Sequence, residues 1–208
     1  MKKLAWIFAL VILVFLGDRL GGIVLKKLTQ ESQFRYSRLY NGQAECDILL
    51  VGNSRGLMFY QPYIEKLTGQ STLNISYNGL PVDLANVLVK DHLDFYSKPR
   101  KVIIDITIAD RLNDQLIAGF SPYRQFSKRL DSLVLNRAPK SFYGGKVSHL
   151  FLYNSEIFQR ALYYLDKSDE DWLLNREINQ KVINDIVNEP PYKISMDEYL
   201  LNNLVEMA

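Results

Sequence analysis

Apolar residues fall along this chain in three rhythms. The first is continuous: residues 4–16 are uninterruptedly apolar, entered through Met1-Lys2-Lys3 and left through Gly17-Asp18-Arg19. A basic start followed by about a dozen apolar residues is the pattern of an export signal, in which the charges stay cytoplasmic while the apolar stretch enters the bilayer. The run is short for ~30 Å of hydrocarbon, but residues 20–25 can extend it, with Arg19 snorkelling towards the interface. No Ala-x-Ala-like site follows, which favours an uncleaved anchor over a cleaved signal peptide. A buried helix of a soluble protein is the third reading, and Lys-Lys is the wrong flank for it. The expected division is a transmembrane signal anchor over 1–25, a polar juxtamembrane connector over 26–46, and a domain over 47–208 outside the cytoplasm.

The second rhythm is a series of short apolar runs bounded by turn residues. Residues 47–51 end at Gly52, 72–76 are followed by Asn78-Gly79, and 101–107 are rich in β-branched side chains. The first suits a strand buried on both faces of a parallel sheet. Between them lie helical patterns. Residues 62–68 have Pro62 in the first turn and Gly69 as a stop, and 81–96 place Ala85, Leu88, Val89, Leu93 and Tyr96 near a 3.6-residue period. Strand, helix, strand, helix, strand predicts right-handed crossovers and a parallel, doubly wound α/β sheet.

The third rhythm is looser. Helical pieces are expected over 127–135 and 151–164, and residues 154–165 carry Ile157, Phe158, Ala161, Leu162 and Leu165 on one face. Residues 167–192 are polar and broken at Pro190-Pro191, and an amphipathic helix begins near Met196. A sheet of three strands with no strand after its last helix reads as incomplete, so a further strand is expected beyond Ala208.

Composition narrows this picture little. Hydrophobic residues at 48% and charged residues at 23% are globular values and argue against wholesale disorder. A net charge of +2, with both signs interspersed, argues against a nucleic-acid partner. The single cysteine, Cys46, rules out an intramolecular disulfide and any multi-cysteine metal site, and it reads as a small buried residue. It is also no lipoprotein cysteine. His92 and His149 are the only histidines.

Candidate chemistry sits at Gly52-Asn53-Ser54-Arg55-Gly56. Open α/β sheets bind ligands at the carboxyl ends of their strands. Ser54 lies just past such an end, between glycines that permit a tight turn and free backbone N–H groups. A serine there can attack a carbonyl while its own amide helps to hold the oxyanion. A turn serine of purely structural role is the plainer reading of the five residues alone.

The segments 47–56, Asn74-Ile-Ser-Tyr-Asn-Gly79 and Val102-Ile-Ile-Asp-Ile106 together resemble the first three blocks of the SGNH/GDSL hydrolase superfamily. The likeness is to membrane-anchored members of bacterial envelope and polysaccharide loci, and it extends through Ala109–Leu112, Ser121-Pro-Tyr123 and Leu152–Ser155. The resemblance implies a three-layer flavodoxin-like sandwich and ester hydrolysis or acyl transfer on acylated glycans, with no metal or organic cofactor. It makes Ser54 the nucleophile and gives the oxyanion hole to the amides of Ser54 and Gly79, with Asn53, Arg55 and Asn78 in support.

Two features depart from that pattern. Thr107 or Ala109 stands where the family's third-block Asn falls, and Asp110 reads as a helix cap. The late Asp-x-x-His motif is missing. His92 and His149 have the wrong spacing and read as packing or surface residues, so the chain is expected to lack its general base. A non-catalytic envelope scaffold or glycan-binding protein on the same shell is the alternative.

Overall fold

The computed structural model describes residues 2–110, 112–167 and 198–207. Helix α1 (Lys2–Glu31) is long and apolar enough over Trp6–Glu31 to cross a membrane, and most of its surface is open. Three strands, β1 (Ile48–Val51), β2 (Thr72–Asn74) and β3 (Lys101–Ile104), form one parallel sheet in the order β2-β1-β3. Leu49 sits between Leu73 and Val102 in the register. The α/β class expected from the alternation is therefore present, although most described residues are helical.

Burial differs sharply across the sheet. All four residues of β1 are buried, as its unbroken apolar run requires. The β3 run is equally apolar, yet Val102 and Ile103 lie exposed on this edge strand. Helices α3 (Gln61–Thr68) and α4 (Val82–Phe95) make the two crossovers. Pro62 in the first turn of α3 and Gly69 in the left-handed conformation at its end match the expected boundaries.

The segment 26–46 is not a connector. Helix α1 continues to Glu31, and a short helix α2 (Arg35–Tyr40) follows inside the core. Phe34 stacks on Tyr164 at 5.8 Å, and Tyr36 meets Phe120 edge-on at 4.7 Å. The Tyr36 hydroxyl donates to the Ile75 carbonyl at 3.0 Å. Aromatic rings with polar tips bury their bodies and satisfy their hydroxyls, so a stretch that is polar by residue count becomes core.

The remaining helices are α5 (Asp114–Gly119), α6 (Lys128–Arg137), α7 (Pro139–Val147), α8 (His149–Leu152), α9 (Glu156–Tyr163) and α10 (Glu198–Met207). The helix that follows β3, α5, is capped by Asn113, which accepts from the Leu116 amide at 3.1 Å. The expected helix over 151–164 is two helices, because Ser155 turns its hydroxyl to the Phe158 amide and starts α9 afresh. Helix α10 packs on α4, where Lys90 reaches Glu206 at 2.7 Å. The polar segment around Pro190-Pro191 lies outside the described residues.

One contact ties α1 to the rest. Asp18 accepts hydrogen bonds from the Ser148 hydroxyl (2.5 Å) and from the amides of His149 (2.8 Å) and Leu150 (3.1 Å), capping α8 from another helix. Arg19 does not reach away from the domain. Its guanidinium donates to the Val147 carbonyl at 3.2 Å. A Cβ on Gly22 would lie 2.5 Å from the His149 Cβ, so only glycine lets α8 press this closely on α1.

Candidate functional site

The strand order places the site. The crossover from β1 leads to β2 on one side, and the next crossover returns past β1 to β3 on the other. The chain therefore diverges between the carboxyl ends of β1 and β3, the switch point where such sheets bind ligands.

Ser54 lies at that point, three residues beyond Val51, and its side chain is exposed. Its hydroxyl has no hydrogen-bond partner among the described residues. The loop carrying it is held from three directions. Asn53 accepts from the Arg55 amide at 3.1 Å and donates to the Thr107 hydroxyl at 2.9 Å. The Thr107 hydroxyl donates to the Asp105 carboxylate, whose two oxygens lie 2.8 and 2.9 Å away. Asn53, Thr107 and Asp105 thus form a chain of hydrogen bonds across the switch point. On the β2 side, Asn74 donates to the carbonyls of Gly56 (2.9 Å) and Phe59 (3.1 Å) and fixes the 3-10 turn that follows Ser54.

Both flanking glycines are set by close approach. A Cβ on Gly52 would meet the Gly56 Cα at 2.8 Å and the Asp105 Cβ at 2.9 Å. A Cβ on Gly56 would meet the Ser76 hydroxyl at 2.5 Å. Ser76 is fully buried, and its hydroxyl has no partner among the described residues. The Ser54 loop is therefore packed tightly on the extension of β2, where Tyr77 donates its amide to the Gly52 carbonyl at 3.1 Å.

That extension leads to Gly79, whose φ of +71° lies in the left-handed region that glycine enters without strain. The Gly79 carbonyl accepts from the Asn113 side chain at 2.9 Å. Neither the Gly79 amide nor the Ser54 amide has an acceptor among the described residues. Asn78 is exposed beside it and lines a cleft of about 510 Å³ with Asn113, Ser121, Ser155 and Glu156. Tyr77 edges the same cleft, donating to Glu156 at 3.2 Å, and burial pushes its phenol up to about 12. Asn113 is the polar side chain that inspection of the chain overlooked. An Asn directly before a helical stretch is a cap signal, and that cue was there to be read.

The other candidates lie elsewhere. Ala109 is fully buried in the core, and Thr107 is committed to Asn53 and Asp105. On the turn after Ser54, Phe59 is exposed and Tyr60 half-buried. His92 is fully buried on α4, with Nε2 2.9 Å from the Ala44 carbonyl. A carbonyl can only accept, so Nε2 carries the proton and Nδ1 is left bare, without a partner among the described residues. Burial holds this imidazole below its ordinary pKa. Cys46, 3.5 Å from His92, is also buried, and its thiol is pushed up to about 12 by desolvation. His149 sits on α8 against Gly22. Neither histidine joins Ser54 in any hydrogen bond among the described residues.

The described residues contain no cluster of His, Cys, Asp and Glu suited to a metal ion. No family model, no curated protein and no solved structure matches this chain.

Proposed function

We propose that this chain is a membrane-tethered protein of the SGNH hydrolase type, anchored by α1 with its domain outside the cytoplasm. Ser54 is its nucleophile for ester hydrolysis or acyl transfer on acylated glycans of a bacterial envelope. The observation that carries the reading is the exposed, unpartnered Ser54 hydroxyl at the β1/β3 switch point. The order β2-β1-β3 is also the start of the 2-1-3-4-5 order of flavodoxin-like sheets, which supports the three-layer assignment.

In this chemistry the Ser54 oxygen adds to an acyl carbonyl, and the carbonyl oxygen takes up negative charge. Free amides at Ser54 and Gly79 are the donors that such an oxyanion needs. Asn53 and Arg55 hold the loop, and Asn78 lines the cleft beside Gly79. The hydroxyl proton needs a base, and both histidines are engaged elsewhere. Without that base the serine is a weak nucleophile, so turnover by these 208 residues is expected to be low.

That engagement of both histidines favours a second reading, a non-catalytic envelope scaffold that binds a glycan on the same shell. A fluorophosphonate probe separates the two. The first reading expects labelling of the full chain that disappears in Ser54→Ala. An unlabelled but folded protein, judged by circular dichroism, leaves only the binding reading, which an acylated glycan retained equally by wild type and Ser54→Ala would support.

A further inference from the structure

We infer that the cleft between α1 and the helical half of the domain is a binding site for the phosphate-bearing headgroup of an anionic membrane lipid. The inference rests on the reading of α1 as a membrane anchor. The cleft measures about 1210 Å³ and shares no lining residue with the Ser54 loop, with Gly22, Ile23 and Lys26 of α1 forming one wall. Opposite them stand Arg124, Lys128 and Lys146.

Its charge is lopsided. Four cations face one carboxylate, Asp131, which is already paired with Arg124 at 3.3 Å. Aromatic faces hold three of the four cations, positioning them without neutralising them. The Arg124 guanidinium lies 4.2 Å and the Lys146 ammonium 4.5 Å from the centre of the Phe142 ring, and Lys26 lies 5.4 Å from that of Phe126. Lys26, Lys128 and Lys146 have no carboxylate partner among the described residues, and three such charges gathered in a concave site suit an anionic ligand.

Depth along α1 identifies the source of that ligand. At ~1.5 Å per residue, Gly22 to Lys26 stand about 27–33 Å from Leu4, the level at which ~30 Å of hydrocarbon gives way to headgroups. The Asp18 clamp fixes the start of α8 beside residues 18–22 of α1, where Val147 (78% exposed) at the end of α7 and Leu150 and Phe151 of α8 present apolar side chains to the outside. The cleft therefore has an apolar lip on the acyl side and cations at the phosphate level.

The test uses the full chain in bilayers of phosphatidylcholine, with and without phosphatidylglycerol. Retained lipid is counted by native mass spectrometry and unfolding is followed by heating. Wild type is expected to retain phosphatidylglycerol preferentially and to melt higher in its presence. Lys128→Gln with Lys146→Gln should lower that preference about tenfold, whereas Lys27→Gln with Lys140→Gln, which removes the same charge outside the cleft, should not. Equal loss in both pairs would mean unspecific attraction to a charged surface and would overturn the site. An equal thermal shift with inorganic phosphate alone would overturn the lipid as ligand. Failure of wild type to float with phosphatidylcholine vesicles would remove the anchor reading, and the site with it. Flotation without any phosphatidylglycerol preference would remove the site alone.

Discussion

Glycines create two close junctions in this molecule, and the junctions serve opposite ends. At the switch point, Gly56 lets the Ser54 loop press on the buried Ser76, and the Ser54 hydroxyl stays exposed, without a hydrogen-bond partner among the described residues. At the α1–α8 contact, Gly22 lets one helix press on another, and the polar groups there are consumed, with Asp18 taking three hydrogen bonds. The same covalent economy, a missing Cβ, leaves polar groups available in one place and closes them off in the other. What decides between them is where the polar atoms of the contact end up.

The comparison can be broken from either side. Gly56→Val forces a branched side chain into Ser76, and overpacking of this kind costs about 2–3 kcal/mol. The expected outcome is a lower urea midpoint with an unchanged slope. Gly22→Ala sets two effects against each other. Alanine favours the helix by ~1 kcal/mol, while the clash with the His149 Cβ costs about 1–3 kcal/mol. The clash should win by about 1 kcal/mol. Faster hydrogen exchange is then expected in α8, with the sheet amides unchanged.

Two smaller effects sharpen the contrast. His92 lies away from both junctions, and its folded pKa is depressed by burial. The unfolded chain therefore takes up the proton first, and stability falls as pH drops below about 6.5 towards the folded value. His92→Gln should abolish that fall, seen as the difference between the urea midpoints of wild type and variant across this range. Buried Asp83 and Asp91, whose pKa values are raised by burial, act in the opposite sense at lower pH and are common to both proteins. Ser76→Ala removes a buried hydroxyl that has no partner among the described residues. It should be neutral or stabilising by up to ~1 kcal/mol, and a loss of stability instead would reveal a bond to that oxygen.

The parts of the fold that could be read from the sequence are those written in local signals. Apolar runs ending at glycine gave β1 and β2, and Pro62 and Gly69 bracketed α3. Helix α2 escaped because Arg35, Ser37 and Arg38 interleave with its core residues and mask them. The exposure of β3 escaped because an apolar run says nothing about what covers it. At the site, the position of Ser54 was legible from the strand end and its glycines. The reach of Asn113 to Gly79, the Asn53–Thr107 bond and the Asp18 clamp join residues 34 to 132 positions apart, and no local pattern encodes such pairings.

The continuation of α1 to Glu31, with Asp18 riveting it to α8, gives the domain a stiff post in place of a leash. For a chain that α1 holds in a bilayer, the working height of Ser54 is then a built-in constant. On the proposed function, the face that carries Ser54 cannot sweep the space above the membrane, so a substrate would have to be delivered to that one altitude. Lengthening the helix by a whole turn would raise the face by about 5.4 Å without altering a single contact inside the domain.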